Sequence, residues 1–418
     1  MTDDVSQVVQ NRYRNLVETG TSPHEWAYAW RAELNRGGFK TVDFLMDEVV
    51  NAGKCVGCAA CLTICPTDVF DYANEQPIDT RADACVHCVL CADVCPVLSP
   101  PDTTIAHELE FRAPNLNDGY GEYSYELLTR ATDPAVLAKA QDGGLVSILL
   151  LHGLETGAIN GAILGDVEPD DPQIGCQILA TTPEEVLRAR GSRYTYSPNT
   201  LALRDALERD LRPIAVVGVP CQVDGVRQQQ YSGLRLAMNR WYQDNISLVI
   251  GLLCSEAFTH KSVEALSKRF DVARADIENI NIKGKVIIKM AGGREEIISL
   301  KEFQQYARPA CLYCQDYAVE QADISAGGIG LDGWTYTVVR TEAGHQAFQA
   351  ILDAGLIETR PVDDAPKSKK LMVRLAAMKK DRHLPALLPN LEERQATGQL
   401  DPKSFRLSKM VGAKQDPA

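Results

Sequence analysis

Cys55-Val56-Gly57-Cys58-Ala59-Ala60-Cys61-Leu62-Thr63-Ile64-Cys65-Pro66 is followed, after eighteen intervening residues, by Cys85-Val86-His87-Cys88-Val89-Leu90-Cys91-Ala92-Asp93-Val94-Cys95-Pro96. Both stretches read C-x2-C-x2-C-x3-C-P, and the doubled run is the signature of two [4Fe-4S] clusters in a bacterial-type ferredoxin. In such runs the first three cysteines wrap one cluster and the fourth crosses to its neighbour. The spacing therefore assigns Cys55, Cys58, Cys61 and Cys95 to one cluster and Cys85, Cys88, Cys91 and Cys65 to the other. Two-residue spacers curl the chain around a cubane and turn backbone N–H groups toward its sulfurs, while the prolines lead the chain away. Zinc is the competing reading, but it favours two separated C-x2-C pairs over four cysteines in eleven residues, twice.

From this segment the rest of the chain can be bounded. Its 418 residues suffice for two or three domains, and 45% hydrophobic with 24% charged residues is ordinary globular composition. A formal net charge of −13 argues against nucleic-acid binding, which needs a basic field around phosphate. Met1 to Gln10 lacks the basic and apolar regions of a signal peptide, and the longest mostly aliphatic run, Leu145 to Leu151, is too short to span a bilayer. The expectation is a cytoplasmic protein without direct membrane insertion, peripheral to a membrane only through partner subunits. Thirteen cysteines in such a chain are metal or redox ligands rather than disulfides.

The organisation reads as four parts. Residues 1–50 form a helical extension, with Trp26 and Trp30 on one face before the Gly37-Gly38 break. Residues 51–101 are the ferredoxin-like segment, ended by the proline-rich Pro96 to Pro101. Across 102–362 apolar runs alternate with helical stretches, and Ala158 to Leu164, Ile214 to Val219 and Ile246 to Leu253 read as buried strands. Between Ile280 and Ile298 the pattern changes to short runs broken by Gly284 and Gly292-Gly293, which predicts antiparallel strands with tight turns. The fold class is α/β, α+β overall, with a mixed sheet. The tail, 363–418, carries Lys367, Lys369, Lys370, Arg374, Lys379, Lys380 and Arg382, with Leu371, Leu375 and Met378 at helical spacing. That is a basic amphipathic helix, either packed on its own domain or docked on an acidic partner.

Five cysteines remain. Cys221 follows the strand Ile214 to Val219 and Cys254 follows Ile246 to Leu253, so both emerge at carboxyl ends of strands, where open α/β sheets bind ligands. Cys311 and Cys314 add a C-x2-C pair, and the four together suggest a third [4Fe-4S] cluster. Cys176 reads as a small hydrophobe. The seven histidines, His87, His152, His260 and His345 among them, show no ligand spacing.

Gly218-Val219-Pro220-Cys221-Gln222, Cys311-Leu312-Tyr313-Cys314, Ala322-Asp323-Ile324-Ser325 and Asp332-Gly333-Trp334 follow one another in an order that resembles the family of coenzyme F420 hydrogenase and dehydrogenase beta subunits. The resemblance runs to about Arg340 and implies a mixed-sheet domain binding a flavin, usually FAD, beside a [4Fe-4S] cluster, with the deazaflavin exchanging hydride at the flavin. It also points to flavin contacts. Gly143-Gly144 and Ser147 are similar to the family's glycine pair before a long helix, whose N-terminus can bind diphosphate. Ser192, Arg193 and Tyr194 match a segment in which the family usually has Lys at Arg193's place, and Gln222 completes the set. Read without the resemblance, Gly143-Gly144 is equally a turn and Arg193 a solvated charge. The chain departs from the pattern at Gly327-Gly328, where the family commonly has Gly-Asp.

Three functions are compatible with these residues. The first is a subunit that couples hydride exchange with coenzyme F420 or a similar carrier to one-electron transfer into other subunits of a redox complex. The second is a ferredoxin-linked reductase of a tetrapyrrole or other bulky substrate, as in some members of the family. The third is a relay that exchanges electrons only with protein partners. No acid–base triad is required for any of them, because the redox chemistry belongs to the cofactors.

Overall fold

The computed structural model describes residues 41–98, 109–113, 116–169, 171–232 and 237–382. The expected face of Trp26 and Trp30, the Gly37-Gly38 break, the end of the proline stretch and the tail beyond Arg382 lie outside the described residues. A short helix, Thr41–Leu45, continues as a π-helical turn, Met46–Asn51, into the cysteine-rich segment.

That segment is a repeat in structure as in sequence. The middle of each motif makes one short helix, α1 (Ala60–Ile64) and α2 (Leu90–Asp93). Each is entered through a left-handed residue one place after the second cysteine, Ala59 at φ 60° and Val89 at φ 58°. Non-glycine residues rarely take this conformation, and its occurrence at matching places shows how tightly both loops curl. Between the motifs lies a hairpin, β1 (Asp71–Ala73) and β2 (Gln76–Ile78). Its turn, Asn74-Glu75, has positive φ at both residues, the twist a two-residue hairpin needs.

Beyond it come a two-residue pair, β3 (Leu116–Asn117) with β4 (Glu122–Tyr123), then β5 (Tyr125–Ala131), helix α3 (Leu145–Thr156), β6 (Gly161–Glu168), β7 (Asp171–Ala180) and β8 (Ile214–Gly218). Helices α4 (Pro220–Tyr231) and α5 (Ala237–Asn245) lead to β9 (Ile246–Leu252). Next are β10 (Ile277–Ile282), β11 (Lys285–Met290) and β12 (Glu295–Ser299), then β13 (Ile324–Gly327), β14 (Thr335–Val339), α6 (Glu342–Asp353), β15 (Ile357–Pro361) and α7 (Pro366–Lys380).

Eight strands make one mixed sheet in the order β15-β5-β14-β13-β9-β8-β6-β7. Its centre, β13-β9-β8-β6, is parallel, and the flanks on both sides are antiparallel. The expected strands at Ile214 and Ile246 form, whereas the one expected from Ala158 starts at Gly161 and runs to Glu168. Residues 157–160 instead close helix α3, through Gly157 at φ 72°. The glycine-broken run from Ile280 forms a separate three-stranded antiparallel sheet, β10-β11-β12.

Central strands are apolar on both faces because both are covered. Ile214 and Val216 of β8 point to one core, while Ala215 and Val217 point to the other. The first core also takes in Val56, Ala60, Ile64, Val86 and Leu90, so the cysteine-rich segment is packed into the sheet's own core. The second is roofed by α3 and α6, through Leu145, Ile148, Phe348 and Ile351. Full burial of such side chains contributes about 1.5–3 kcal/mol each. Helix α7 forms as expected, with Leu375 half-buried against the core, but its fully buried residues are others. Ser368, Met372, Ala376 and Lys379 point inward, with Met372 and Ala376 packed on Leu128, Tyr336 and Val338, while Met378 is exposed. Lys369 is bonded to Asp118 and Glu126 of the same domain.

Candidate redox site

The crossed arrangement of the two motifs is visible in which thiols meet. A cavity is lined by Cys65, Cys85, Cys88 and Cys91, together with Val42, Thr67 and Phe70. The fourth cysteine of the first motif thus faces the first three of the second. Reciprocally, burial and then the neighbouring Cys95 push the Cys58 thiol up, and Cys61 is raised by burial with Cys58, Cys55 and Cys95 around it. Backbone N–H groups of Gly57 and His87 point at Cys55 Sγ and Cys85 Sγ, each at 3.4 Å, at equivalent positions of the two loops. Crowded, buried thiols of this kind resist ionisation unless cations compensate them, and iron supplies that compensation. Among the described residues, no three His, Cys, Asp or Glu side chains converge closely enough to share a single metal ion. A cubane makes no such demand, since each thiolate binds its own iron.

Cys221, Cys254, Cys311 and Cys314 also come together. Burial first, then Cys314, raises Cys221, and burial pushes Cys254 up to about 12, with Lys379 opposing and Cys311 and Cys314 adding to the push. Cys221 is the second residue of α4, directly after Pro220 at its first position, and Cys254 lies two residues past β9, so both stand at carboxyl ends of parallel strands. The backbone N–H of Ala257 donates to Cys311 Sγ at 3.4 Å. Cys176, on β7, is not part of this set.

The third set lies beside the first. Cys58 is among the groups acting on Cys221, and a Cβ at Gly225, on the next turn of α4, would stand 3.1 Å from Cys58 Sγ. Tyr196 lies between Cys221, Tyr72 and Cys58, and Arg308 stacks 3.7 Å above its ring. From there Arg308 donates to Glu75 at 2.5 Å and to the Val56 carbonyl at 2.9 Å. Tyr72 donates to the Gly57 carbonyl, Tyr242 to the Thr63 carbonyl and Thr200 to the Cys58 carbonyl. Sequence reading did not single out Arg308, Tyr196 or Tyr72. Arg308's place three residues before Cys311 was the available signal.

Gly143-Gly144 and the segment at Ser192 lie in two loops that meet. Arg190 donates to the Ala135 carbonyl, and Gly191 sits against Lys139. Gly143 is pressed where β5 and β14 pass: its N–H donates to Thr335 Oγ1, its carbonyl accepts from Ala131 N–H, and a Cβ would stand 2.2 Å from the Thr129 carbonyl. Gly144, at φ 77°, caps α3, with Ser147 half-buried in its first turn. Arg193 donates to the carbonyls of Ala189 and Gly191 and lies 3.7 Å from Asp166, while Ser192 is exposed. The Nε atoms of Arg190 and Arg193 and Oδ1 of Asp142 are buried without a hydrogen bond, as at a polar ligand's place. Burial raises both Tyr194 and Tyr317; Tyr194 lies between Asp142 and Cys254, and Tyr317 near Cys254 and Tyr194. The glycine loop thus connects to the third cysteine set through two tyrosines. Gln222 has another employment: its amide accepts from Val219 N–H and donates to the Ser197 carbonyl, so it shapes the turn before Cys221.

The Ala322-Asp323-Ile324-Ser325 motif is an internal fastening. Asp323 accepts from Arg227, Thr341 and the Val249 N–H, and Ser325 accepts from Arg340, all buried. At Gly328, where the chain departs from the Gly-Asp of the resemblance, a Cβ would stand 2.1 Å from the Asp142 carboxylate. A carboxylate is present there, carried by the other loop. In Asp332-Gly333-Trp334, the carboxylate pairs with Lys283 and the indole lies under Arg360 and Arg130.

Models of the coenzyme F420 hydrogenase/dehydrogenase beta subunit match residues 127–204 for its N-terminal part and 211–365 for its C-terminal part, and a 4Fe-4S dicluster domain matches residues 54–98. The coenzyme F420 hydrogenase subunit beta of Methanococcus voltae is 35% identical over 275 residues, 63% of this chain and 94% of that protein. A subunit of the F(420)H(2) dehydrogenase of Methanosarcina mazei is 31% identical over 346 residues, 80% and 91% of the two chains. Among solved structures, a chain of the F420-reducing [NiFe] hydrogenase complex from Methanosarcina barkeri superposes with a TM-score of 0.60 at 30% identity, covering 72% of this chain and 98% of that one. Among the described residues no helix is long and apolar enough to cross a membrane. With its matched halves, its motifs in order and a dicluster domain in front of them, this chain belongs to the family of coenzyme F420 hydrogenase/dehydrogenase beta subunits, which are oxidoreductases.

Proposed function

We propose that this chain couples hydride exchange with coenzyme F420, at a bound FAD, to one-electron transfer through three [4Fe-4S] clusters into other subunits of a redox complex. The observation that carries the reading is the continuity of the site. Asp142 and Gly143-Gly144 lead through Tyr194 to Cys254, Cys221 lies beside Cys58, and the crossed motifs interleave Cys95 with Cys61 and Cys65 with Cys91. The carrier is inferred from the names of the relatives, which include F420-linked hydrogenase, dehydrogenase, sulfite reductase and formate dehydrogenase proteins.

In this reading Cys55, Cys58, Cys61 and Cys95 hold one cluster, Cys85, Cys88, Cys91 and Cys65 the second, and Cys221, Cys254, Cys311 and Cys314 the third. A flavin supplies the ability to take two electrons as hydride and release them singly. The chain's own residues do the rest. The N-terminus of α3 after Gly144 and the guanidinium of Arg193 offer donors and positive charge to a diphosphate. Tyr194 and Tyr317 fill the space toward Cys254 and exclude water, and Gln222 holds the turn that presents Cys221.

The test is an anaerobic titration of purified protein with reduced coenzyme F420 and, separately, NADH and NADPH. About twelve irons per chain are expected from twelve cysteine ligands and one flavin from the family resemblance, with the flavin absorbance bleached by the deazaflavin alone. Bleaching by a nicotinamide only, or no flavin in protein isolated with full iron, refutes the reading.

A further inference from the structure

The C-terminal helix puts one buried cation against the third cysteine set. Lys379, on the last turn of α7, is 3% exposed. Its ammonium lies 3.1 Å from Cys314 Sγ, 2.8 Å from the Cys254 carbonyl and 2.7 Å from the Asp316 carbonyl. A lysine has three N–H donors, and all three are spent within this one site. The helix is held over the site at both ends. Lys369 bonds Asp118 and Glu126 near its start, while Lys380 pairs with Glu320 and Arg382 donates to the Cys311 carbonyl near its end. The helix itself lies past residue 365, where the match to the family's C-terminal model ends.

A buried lysine is costly to desolvate and is retained where negative charge meets it. Four thiolates supply that charge, and the reduced state of a cluster they hold carries one further electron. A fixed cation donating to one of the sulfurs favours the more negative state. We propose that Lys379 is a positioning and tuning residue of the third cluster: its bond to Cys314 sets that cluster's potential above the value the four cysteines alone would give. The inference rests on the third cluster of the proposed function. It makes α7 part of the redox site, with its lysine directed inward instead of at a docking partner.

The experiment is a redox titration of the intact protein followed by EPR, comparing wild type with Lys379→Met, Lys379→Gln and Lys379→Arg. The neutral variants should shift one cluster to a more negative midpoint and leave the other two unmoved, with Arg close to wild type. Loss of about four of the twelve irons in the neutral variants, with retention in Arg, supports the same assignment. An unshifted midpoint in a neutral variant that keeps twelve irons overturns it. Wild type itself gives a check that survives misfolding of any variant: with 15N-ε-lysine labelling, pulsed EPR of the reduced third cluster should detect the lysine nitrogen, and its absence overturns the proposal. If wild type holds only about eight irons, the three-cluster reading has failed before Lys379 is tested.

Discussion

Arg308 and Glu75 meet 2.5 Å apart between the cysteine-rich segment and the body that carries the mixed sheet, with both side chains largely shielded from water. Glu75 is half of the β1-β2 turn, and Arg308 precedes the Cys311-x2-Cys314 pair by three residues. The pair therefore clamps the loop beside Cys55 and Cys58 to the loop that presents Cys311. The same guanidinium also serves the Val56 and Glu75 carbonyls and covers the Tyr196 ring, so one side chain fixes the separation of the first and third cysteine sets.

Removing the cation strands a buried carboxylate and two carbonyls. Arg308→Met should cost about 3–5 kcal/mol, the range for breaking a buried ion pair, and Glu75→Gln less, because a hydrogen-bonding partner remains. Thermal unfolding under anaerobic conditions measures the difference. Arg308→Met should also expose the junction to limited proteolysis between residues 66 and 85, while equal stability of the two variants would mean that the clamp is not formed.

The crossed pairing of the motifs predicts an unusual additivity. Cys65 lies with Cys85, Cys88 and Cys91, so Cys65→Ser and Cys85→Ser should each empty the same site, and the double variant should lose no more iron than either single. Cys65→Ser with Cys55→Ser should lose about twice as much, on the order of eight irons in place of four. Iron analysis of the two single and two double variants decides it, and the reverse result, about eight irons lost from Cys65→Ser with Cys85→Ser and about four from Cys65→Ser with Cys55→Ser, would return each motif to its own cluster.

What could be read in advance depended on the range of the interactions. The eight-cysteine motif and the strands at Ile214 and Ile246 were legible because spacing along the chain, or burial on both faces, wrote them into a few consecutive residues. So was the antiparallel sheet after Ile277, announced by Gly284 and Gly292-Gly293. The inward face of α7 was not. Hydropathy selected Leu371, Leu375 and Met378, of which Leu375 packs half-buried on the core, yet the helix turns Met372, Ala376 and a lysine fully inward, because the Cys314 thiol and the Cys254 carbonyl that Lys379 meets lie many residues away. Arg308 was hidden for the same reason: its partners, Val56 and Glu75, are more than 230 residues earlier. Asp142 at Gly328 is a third case, a carboxylate whose place in space is shared between two loops.

Burial pushes the Asp142 carboxyl up to about 6, against the pull of Lys283 and with a further push from Asp332. The folded value therefore lies above the unfolded one, near 4. Below about pH 4 both states hold the proton and the group is neutral to stability; between about pH 4 and 6 the unfolded chain ionises while the folded protein keeps its proton, so stability is lost across that window and the loss is complete above 6. Asp142→Asn should accordingly stabilise the protein at pH 7–8 by about 1–2 kcal/mol after discounting for the carboxyl's partial exposure, read as a higher thermal midpoint. The advantage should vanish near pH 4. An advantage that is independent of pH would show that the carboxylate is ionised at no cost.

The glycine pair separates packing from ligand binding. A methyl group at Gly143 would stand 2.2 Å from the Thr129 carbonyl and 2.6 Å from Thr335 N, both backbone atoms that cannot move aside. Gly143→Ala should therefore cost about 3 kcal/mol or more and part β5 from β14. At Gly144 the nearest atom is the Val136 side chain at 3.1 Å, and the penalty is the left-handed backbone, about 1–2 kcal/mol. Gly144→Ala should remain folded with a modestly lowered thermal midpoint, so its flavin content reports on the loop as a cradle. If the first turn of α3 receives a diphosphate, the shift of the cap needed to relieve φ 77° should release much of the flavin while all iron stays in place. Full retention of flavin in this variant would reduce Gly143-Gly144 to a turn and move the diphosphate toward the unpaired Nε atoms of Arg190 and Arg193.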